Sequence, residues 1–70
     1  MIFEIKHRYN GAILFSLECG SMKLCVEAAV KSKSNLYGAA LSGVDLSGTN
    51  LYGACMYGAD LYGANLSGAC

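Results

Sequence analysis

The spacing of apolar residues divides the chain into three stretches. Residues 2–18 contain two β-prone runs on either side of an Asn10-Gly11 pair, a pattern typical of a β-hairpin. From Ser21 to about Ser32, apolar residues recur three or four positions apart, which predicts an amphipathic helix with Ser21 as its N-cap. From Ser34 onwards a glycine stands at every fifth position, a period that belongs to neither a helix nor a strand.

The register of the hairpin follows from which side chains must share a face. A two-residue Asn-Gly loop would place Ile5 and Phe15 on opposite faces, whereas a three-residue loop ending at Gly11 places them opposite each other. Burial of one apolar face therefore favours the three-residue loop, with Gly11 in a left-handed conformation. The pairs expected in this register are Arg8 with Ala12, Ile5 with Phe15, Phe3 with Leu17, and His7 with Ile13.

The third stretch consists of seven complete five-residue units over residues 34–68. In each unit the first position is small, the second mostly Asn or Asp, the third Leu or Met, the fourth Tyr or Ser, and the fifth Gly. The first and third side chains point the same way in an extended segment and can fill a narrow interior. Glycine suits a corner, because it adopts unusual backbone angles without steric cost. Such a repeat predicts a solenoid whose units stack on their neighbours.

These units resemble the pentapeptide-repeat family, whose signature is roughly Ala-(Asp/Asn)-Leu-x-x. The resemblance covers half of the chain, residues 34–70, and departs from the signature at Ala40, Cys55 and Met56. It implies an all-β fold, a right-handed quadrilateral β-helix with four units per coil and slightly under two coils. The preceding segment, which opens "FEIKHRYNG", resembles the head found on some phage-encoded members.

Four units per coil would stack residues twenty apart. The third positions would then fill the interior, and we expect Leu41, Leu46, Met56 and Leu61 to be nearly fully buried. At Ala40 and Cys55 the missing polar side chain weakens local hydrogen bonding without breaking the interior.

The two ends of this solenoid are expected to differ. An open coil end exposes unpaired backbone and apolar interior, so solenoids need atypical segments there. Residues 1–33 are predicted to form such a cap, and residues 34–70 the β-helix, within one structural unit. Nothing after Leu66 resembles a second cap. The family resemblance favours an end-to-end homodimer through the C-terminal coil; the alternative is that the chain is a fragment of a longer repeat protein.

Charge and hydropathy restrict the partners. Five basic and five acidic residues give a net charge of zero, which provides no electrostatic footprint for nucleic acid or an anionic membrane. No apolar run approaches the about 20 residues of a membrane span. The N-terminus carries charge by Glu4, unlike a signal peptide. We therefore expect a cytoplasmic protein of a bacterium or a phage-infected host, with no nucleic-acid partner and no membrane association.

No residue pattern indicates catalysis. The sole histidine, His7, lies on the apolar face of the predicted hairpin, where a partly buried side chain is expected rather than a general base. The cysteines lack zinc-site spacing, and we expect reduced thiols that fill space: Cys19, Cys25, Cys55 and Cys70. We expect no enzyme, and hence no catalytic residue, no cofactor and no metal.

Two non-enzymatic functions remain. The first is a structural or protein-interaction module with an unknown protein partner; tyrosine is enriched at interfaces, and the outward fourth position supplies a candidate surface of Tyr37, Tyr52, Tyr57 and Tyr62. These tyrosines could instead only stack on one another and cover backbone. The second function, which the family resemblance offers, is DNA mimicry directed at a topoisomerase. That activity needs a long, strongly negative rod, and this chain is short and neutral.

Overall fold

The structure, a computed structural model, describes residues 1–68. Strands β1 (Ile2–Lys6) and β2 (Ile13–Glu18) form an antiparallel hairpin, and helix α1 (Met22–Lys31) follows. Beyond the helix the chain runs through a succession of tight turns, and the extended residues between them pair as isolated bridges.

The inner part of the hairpin has the predicted register. Ile5 lies opposite Phe15, and Phe3 lies opposite Leu17. All four side chains pack into the core cluster, where Ile5 is fully buried and the other three are partly buried. These are the pairs expected when the hairpin buries one apolar face.

The closed end of the hairpin differs from the prediction. Two predicted pairs are wrong: Arg8–Ala12 and His7–Ile13. The register shifts between Ile5 and Lys6, where the ladder is bulged. The His7 N–H then donates to the Ala12 carbonyl at 2.8 Å, so the loop contains the four residues 8–11.

The end of the hairpin also pairs with the repeat. His7 forms an antiparallel bridge with Ala39. On either side of this bridge, the Arg8 N–H donates to the Gly38 carbonyl at 2.8 Å and the Ala40 N–H donates to the Lys6 carbonyl at 2.7 Å. The hairpin therefore continues as a strand along one edge of the repeat, and this pairing is the physical reason for the altered register.

Helix α1 begins where the sequence predicted. The Oγ of Ser21 accepts the N–H of Leu24 at 3.2 Å, which satisfies one of the free donors of the first turn. The helix buries Cys25, Val26 and Ala29 in the same core as the hairpin.

The helix ends in a Schellman motif whose left-handed residue falls on the five-residue spacing of the repeat glycines. The Ser34 N–H donates to the Ala29 carbonyl and the Lys33 N–H to the Val30 carbonyl, at 3.0 and 3.1 Å. Lys33 has a φ of 60°, in the left-handed region. It lies five positions before Gly38 and so takes the place that glycine holds in every later unit.

The six units over residues 34–63 turn in the same way. The carbonyl of the third residue accepts the N–H of the first residue of the next unit at 3.0–3.3 Å, from the Leu36–Ala39 pair to the Leu61–Ala64 pair. The glycine between them has a positive φ, as a type II turn requires. In five units the N–H of the fourth residue also donates to the Oδ1 of the second residue at 2.9–3.1 Å: Asn35, Asp45, Asn50, Asp60 and Asn65.

The units stack as coils of a β-helix. Three parallel bridges join residues twenty apart: Asn35–Cys55, Ala40–Asp60 and Asp45–Asn65. Four five-residue units therefore complete one coil. Residues 34–53 form the first coil, and the described part of the second coil is residues 54–68.

Burial decreases from the first coil to the second. Leu41 and Leu46 are fully buried, as predicted. The prediction of near-complete burial is wrong for Met56 and Leu61, which are only partly buried, and Leu66 is 40% exposed. The first coil is covered by the second, whereas no further layer among the described residues covers the second.

Candidate interaction surface

The structure separates the four tyrosines of the candidate surface. Tyr37 and Tyr57 lie one coil apart at the same corner, where their rings meet edge to face with centroids 5.9 Å apart. Tyr52 and Tyr62 lie one unit before and one unit after Tyr57, and so stand at the two neighbouring corners. Stacking therefore accounts for one pair only, and it leaves Tyr57 82% exposed.

Three of the tyrosines each follow an apolar third-position side chain of the last described layer, at the end where the sequence predicted no second cap. Tyr52, Tyr57 and Tyr62 are each more than 80% exposed. Inside them lie the third-position side chains that have no stacked residue above them among residues 1–68. We call these side chains the second-coil face: Met56, Leu61 and Leu66 of the second coil with Leu51 from the last unit of the first coil, and the tyrosines that follow three of them, Tyr52, Tyr57 and Tyr62. The sequence indicates this exposure, because no third position of a later unit within residues 1–68 lies twenty residues after any of these side chains.

The N-terminal segment, residues 1–33, which we call the head, contacts both coils. The guanidinium of Arg8 donates from Nη1 to the Gly58 carbonyl at 3.1 Å, and its Nη2 lies 3.9 Å from a carboxylate oxygen of Asp60. The half-buried ring of His7 packs against Gly38 so closely that a Cβ added there would lie 2.5 Å from Nε2. The His7 Nδ1 accepts the N–H of Tyr9 at 3.2 Å. These contacts give both residues structural roles.

Within the described part of the chain, two ionisable groups have shifted pKa values, and they lie in different places. Burial, followed by the nearby Cys19 thiol, raises the pKa of Cys25. Hydrogen bonds from the Ser47 N–H and hydroxyl, with a smaller effect of Lys23, lower the pKa of Asp45. Cys19, Cys25 and Cys55 are free thiols, and Cys70 lies outside the described residues. Within residues 1–68, no cluster of three or more His, Cys, Asp or Glu side chains could hold a metal ion.

A groove of about 280 Å³ lies between the helix end and the fourth unit. Its lining is mixed in charge: Glu27, Val30, Lys31, Lys33, Asn50 and Tyr52. Lys31 lies in the last helical turn, where a cation is favoured by the negative end of the helix dipole. The groove therefore contains both signs of charge, two lysines and one glutamate, and its charge does not indicate a particular class of ligand.

Tight type II turns every fifth residue, stacked twenty residues apart, define a β-helical solenoid of five-residue units. The profile of the family described as "Pentapeptide repeats" matches residues 32–68 with eight copies, which is more than half of the chain. The chain belongs to this pentapeptide-repeat family. Searches of curated proteins and of solved structures each found no significant match. Among the described residues, no helix has the length and apolarity that crossing a membrane requires.

Proposed function

We propose that this chain is a non-enzymatic protein-interaction module whose partner binds the second-coil face. The observation that carries the proposal is the contrast between two stacked layers: Leu46 is fully buried, whereas Leu66, directly above it, is 40% exposed. Apolar side chains with a rim of exposed tyrosines have the composition of an interface core. Family membership supports the absence of catalysis, because pentapeptide-repeat proteins are generally structural or interaction modules.

The handedness of the coil, its cross-section and the role of the N-terminal segment are also proposals. We infer a right-handed coil of quadrilateral cross-section, which four equivalent turns per coil support. Residues 1–33 would act as its cap, and residues 34–70 would form the solenoid. We also propose a cytoplasmic location in a bacterium or a phage-infected host.

The predicted end-to-end homodimer stays a prediction, and it would use the same second-coil face. DNA mimicry is the weaker alternative. The repeat region, residues 34–70, contains two acidic residues, Asp45 and Asp60. A duplex mimic needs many regularly placed negative charges, which this surface lacks.

The proposal is tested with a charge placed on the second-coil face. Leu66→Lys should abolish capture of a bacterial protein that the unmodified chain binds, because a desolvated ammonium is costly in an apolar interface. Ile2→Lys is the matched control, since Ile2 is 64% exposed on the hairpin at the other end of the chain. Circular dichroism should show that both variants are folded. Equal capture by all three proteins, or no capture by any of them, would overturn the proposal.

A further inference from the structure

Two of the cysteines lie together where the hairpin meets the helix. Cys19 directly follows β2, and Cys25 is the fourth residue of α1. The Cys19 Sγ lies 3.3 Å from the carbonyl oxygen of Ser21, and the same oxygen accepts the Cys25 N–H at 3.2 Å. One backbone oxygen therefore contacts both residues.

The hairpin provides a second point at which the two thiols approach each other. Phe3 and Leu17 are partners in the ladder. The Cys25 thiol donates to the Phe3 carbonyl at 3.5 Å, and the Cys19 thiol lies 3.6 Å from the Leu17 carbonyl oxygen. The effect of Cys19 on the pKa of Cys25 agrees with this arrangement, since only nearby groups interact in this way.

The two thiols differ in their access to solvent. Cys19 is partly exposed, whereas Cys25 is fully buried. Thiol–disulfide exchange begins with a thiolate that a reagent can reach, and Cys19 meets this requirement while Cys25 does not. An accessible thiol beside a second thiol that can displace its adduct is a frequent arrangement in redox-sensitive proteins.

We propose that Cys19 and Cys25 form a reversible redox site whose substrate is a low-molecular-weight disulfide of the glutathione class. The Cys19 thiolate attacks one sulfur of that disulfide, and one small thiolate leaves and takes up the proton that Cys19 lost. The Cys25 thiol then loses its proton to solvent, and its sulfur attacks the Cys19 Sγ of the mixed disulfide. The second small thiolate leaves and is protonated. Two protein thiols are oxidised, and one small disulfide is reduced to two thiols.

The product joins the end of the hairpin covalently to the first turns of the helix. Formation of the bond removes two S–H groups, which are weak hydrogen-bond donors, and the Ser21 carbonyl keeps the N–H of Cys25. Oxidation therefore changes the head and does not involve the second-coil face. This inference is independent of the proposed function, and either one can fail without the other.

The test compares disulfide formation in the folded and the unfolded chain. A reference chain with Cys55→Ser and Cys70→Ser is equilibrated with mixtures of reduced and oxidised glutathione, in buffer and in concentrated urea. Trypsin cuts at Lys23, between the two cysteines, so the peptides 9–23 and 24–31 stay joined only through a disulfide. If folding brings the thiols together, the ratio of disulfide to dithiol should be at least roughly tenfold higher in the folded chain than in urea.

Two further variants of the reference chain separate the roles of the thiols. Cys25→Ala should accumulate the mixed disulfide at Cys19, because the second thiol is missing. Cys19→Ser should leave Cys25 unmodified in the folded chain and permit its reaction in urea, because burial protects this thiol. Circular dichroism should show that the reference chain and both variants are folded in buffer.

Two outcomes would overturn the inference. The first is a ratio of disulfide to dithiol in the folded reference chain that equals or falls below the ratio in urea, because the fold would then hold the sulfur atoms apart. The second is reaction of Cys25 with glutathione disulfide in folded Cys19→Ser as fast as that of Cys19 in Cys25→Ala, because Cys19 would then not be the entry point.

Discussion

Lys33 has a left-handed backbone conformation that both ends the helix and makes the first corner of the repeat. It is the one non-glycine residue with positive φ within residues 1–68, and it stands where a helix C-terminus and a repeat corner coincide. Both features favour glycine, because a Cβ in the left-handed region crowds the following carbonyl.

Replacing this lysine should stabilise the protein. Lys33→Gly is expected to raise the free energy of unfolding by about 1 kcal/mol, because it removes the cost of a left-handed L-residue. Gly43→Ala is the reciprocal control. It has a φ of 73° and open space where its Cβ would lie, so it should cost about the same amount. Urea denaturation of both variants measures the effect, and a less stable Lys33→Gly protein would contradict the interpretation.

Thr49 carries a polar group into the interior of the first coil. Its side chain is fully buried, and its Oγ1 has no hydrogen-bond partner within residues 1–68. Thr49→Val should therefore stabilise the fold by about 1 kcal/mol, since it removes an unsatisfied buried hydroxyl and conserves the shape. Thr49→Ser keeps the hydroxyl and loses a methyl group, so it should destabilise. A lower melting temperature for Thr49→Val would mean that the hydroxyl is satisfied.

Among the secondary-structure elements, the sequence predicted those features that depend on the local pattern of residues. The helix start at Ser21 follows from its hydroxyl, and the Ile5–Phe15 pair follows from burial of one face. The bulge between Ile5 and Lys6 could not be predicted in this way. It arises because β1 pairs with the repeat as well as with β2, a long-range contact that the pattern of the hairpin does not encode.

The two coils should differ in how much their interior leucines contribute. Leu41→Ala is expected to cost about 2–5 kcal/mol, the usual range for a buried leucine. Leu61→Ala, one layer above in the same stack, should cost clearly less, because Leu61 already contacts solvent. Chemical denaturation of the two variants gives a direct comparison. Equal losses of stability would show that the second coil is as well covered as the first.

Over residues 1–68, the structure shows a well-buried first coil beside the hairpin and a less buried second coil. The head lies along the first coil, and Arg8 reaches past it to Gly58 of the second. At the other end, partly exposed apolar side chains lie within a rim of tyrosines. The sequence located the tyrosines through the repeat. It did not reveal that most hydrogen bonds between the coils run from first-coil N–H groups to second-coil carbonyls, because the direction of each N–H depends on how the corners set the backbone of the coil.

If the outer edge of the second coil is open, amide hydrogen exchange should distinguish its backbone N–H groups from those of the first coil. Three stacked pairs of third-position amides serve as internal controls: Leu36 with Met56, Leu41 with Leu61, and Leu46 with Leu66. The lower member of each pair donates to the second coil, and the upper member has no backbone acceptor within residues 1–68. Each upper amide is expected to exchange with solvent at least roughly tenfold faster than the lower amide of its pair. Equal protection within all three pairs, in dilute protein alone, would contradict it.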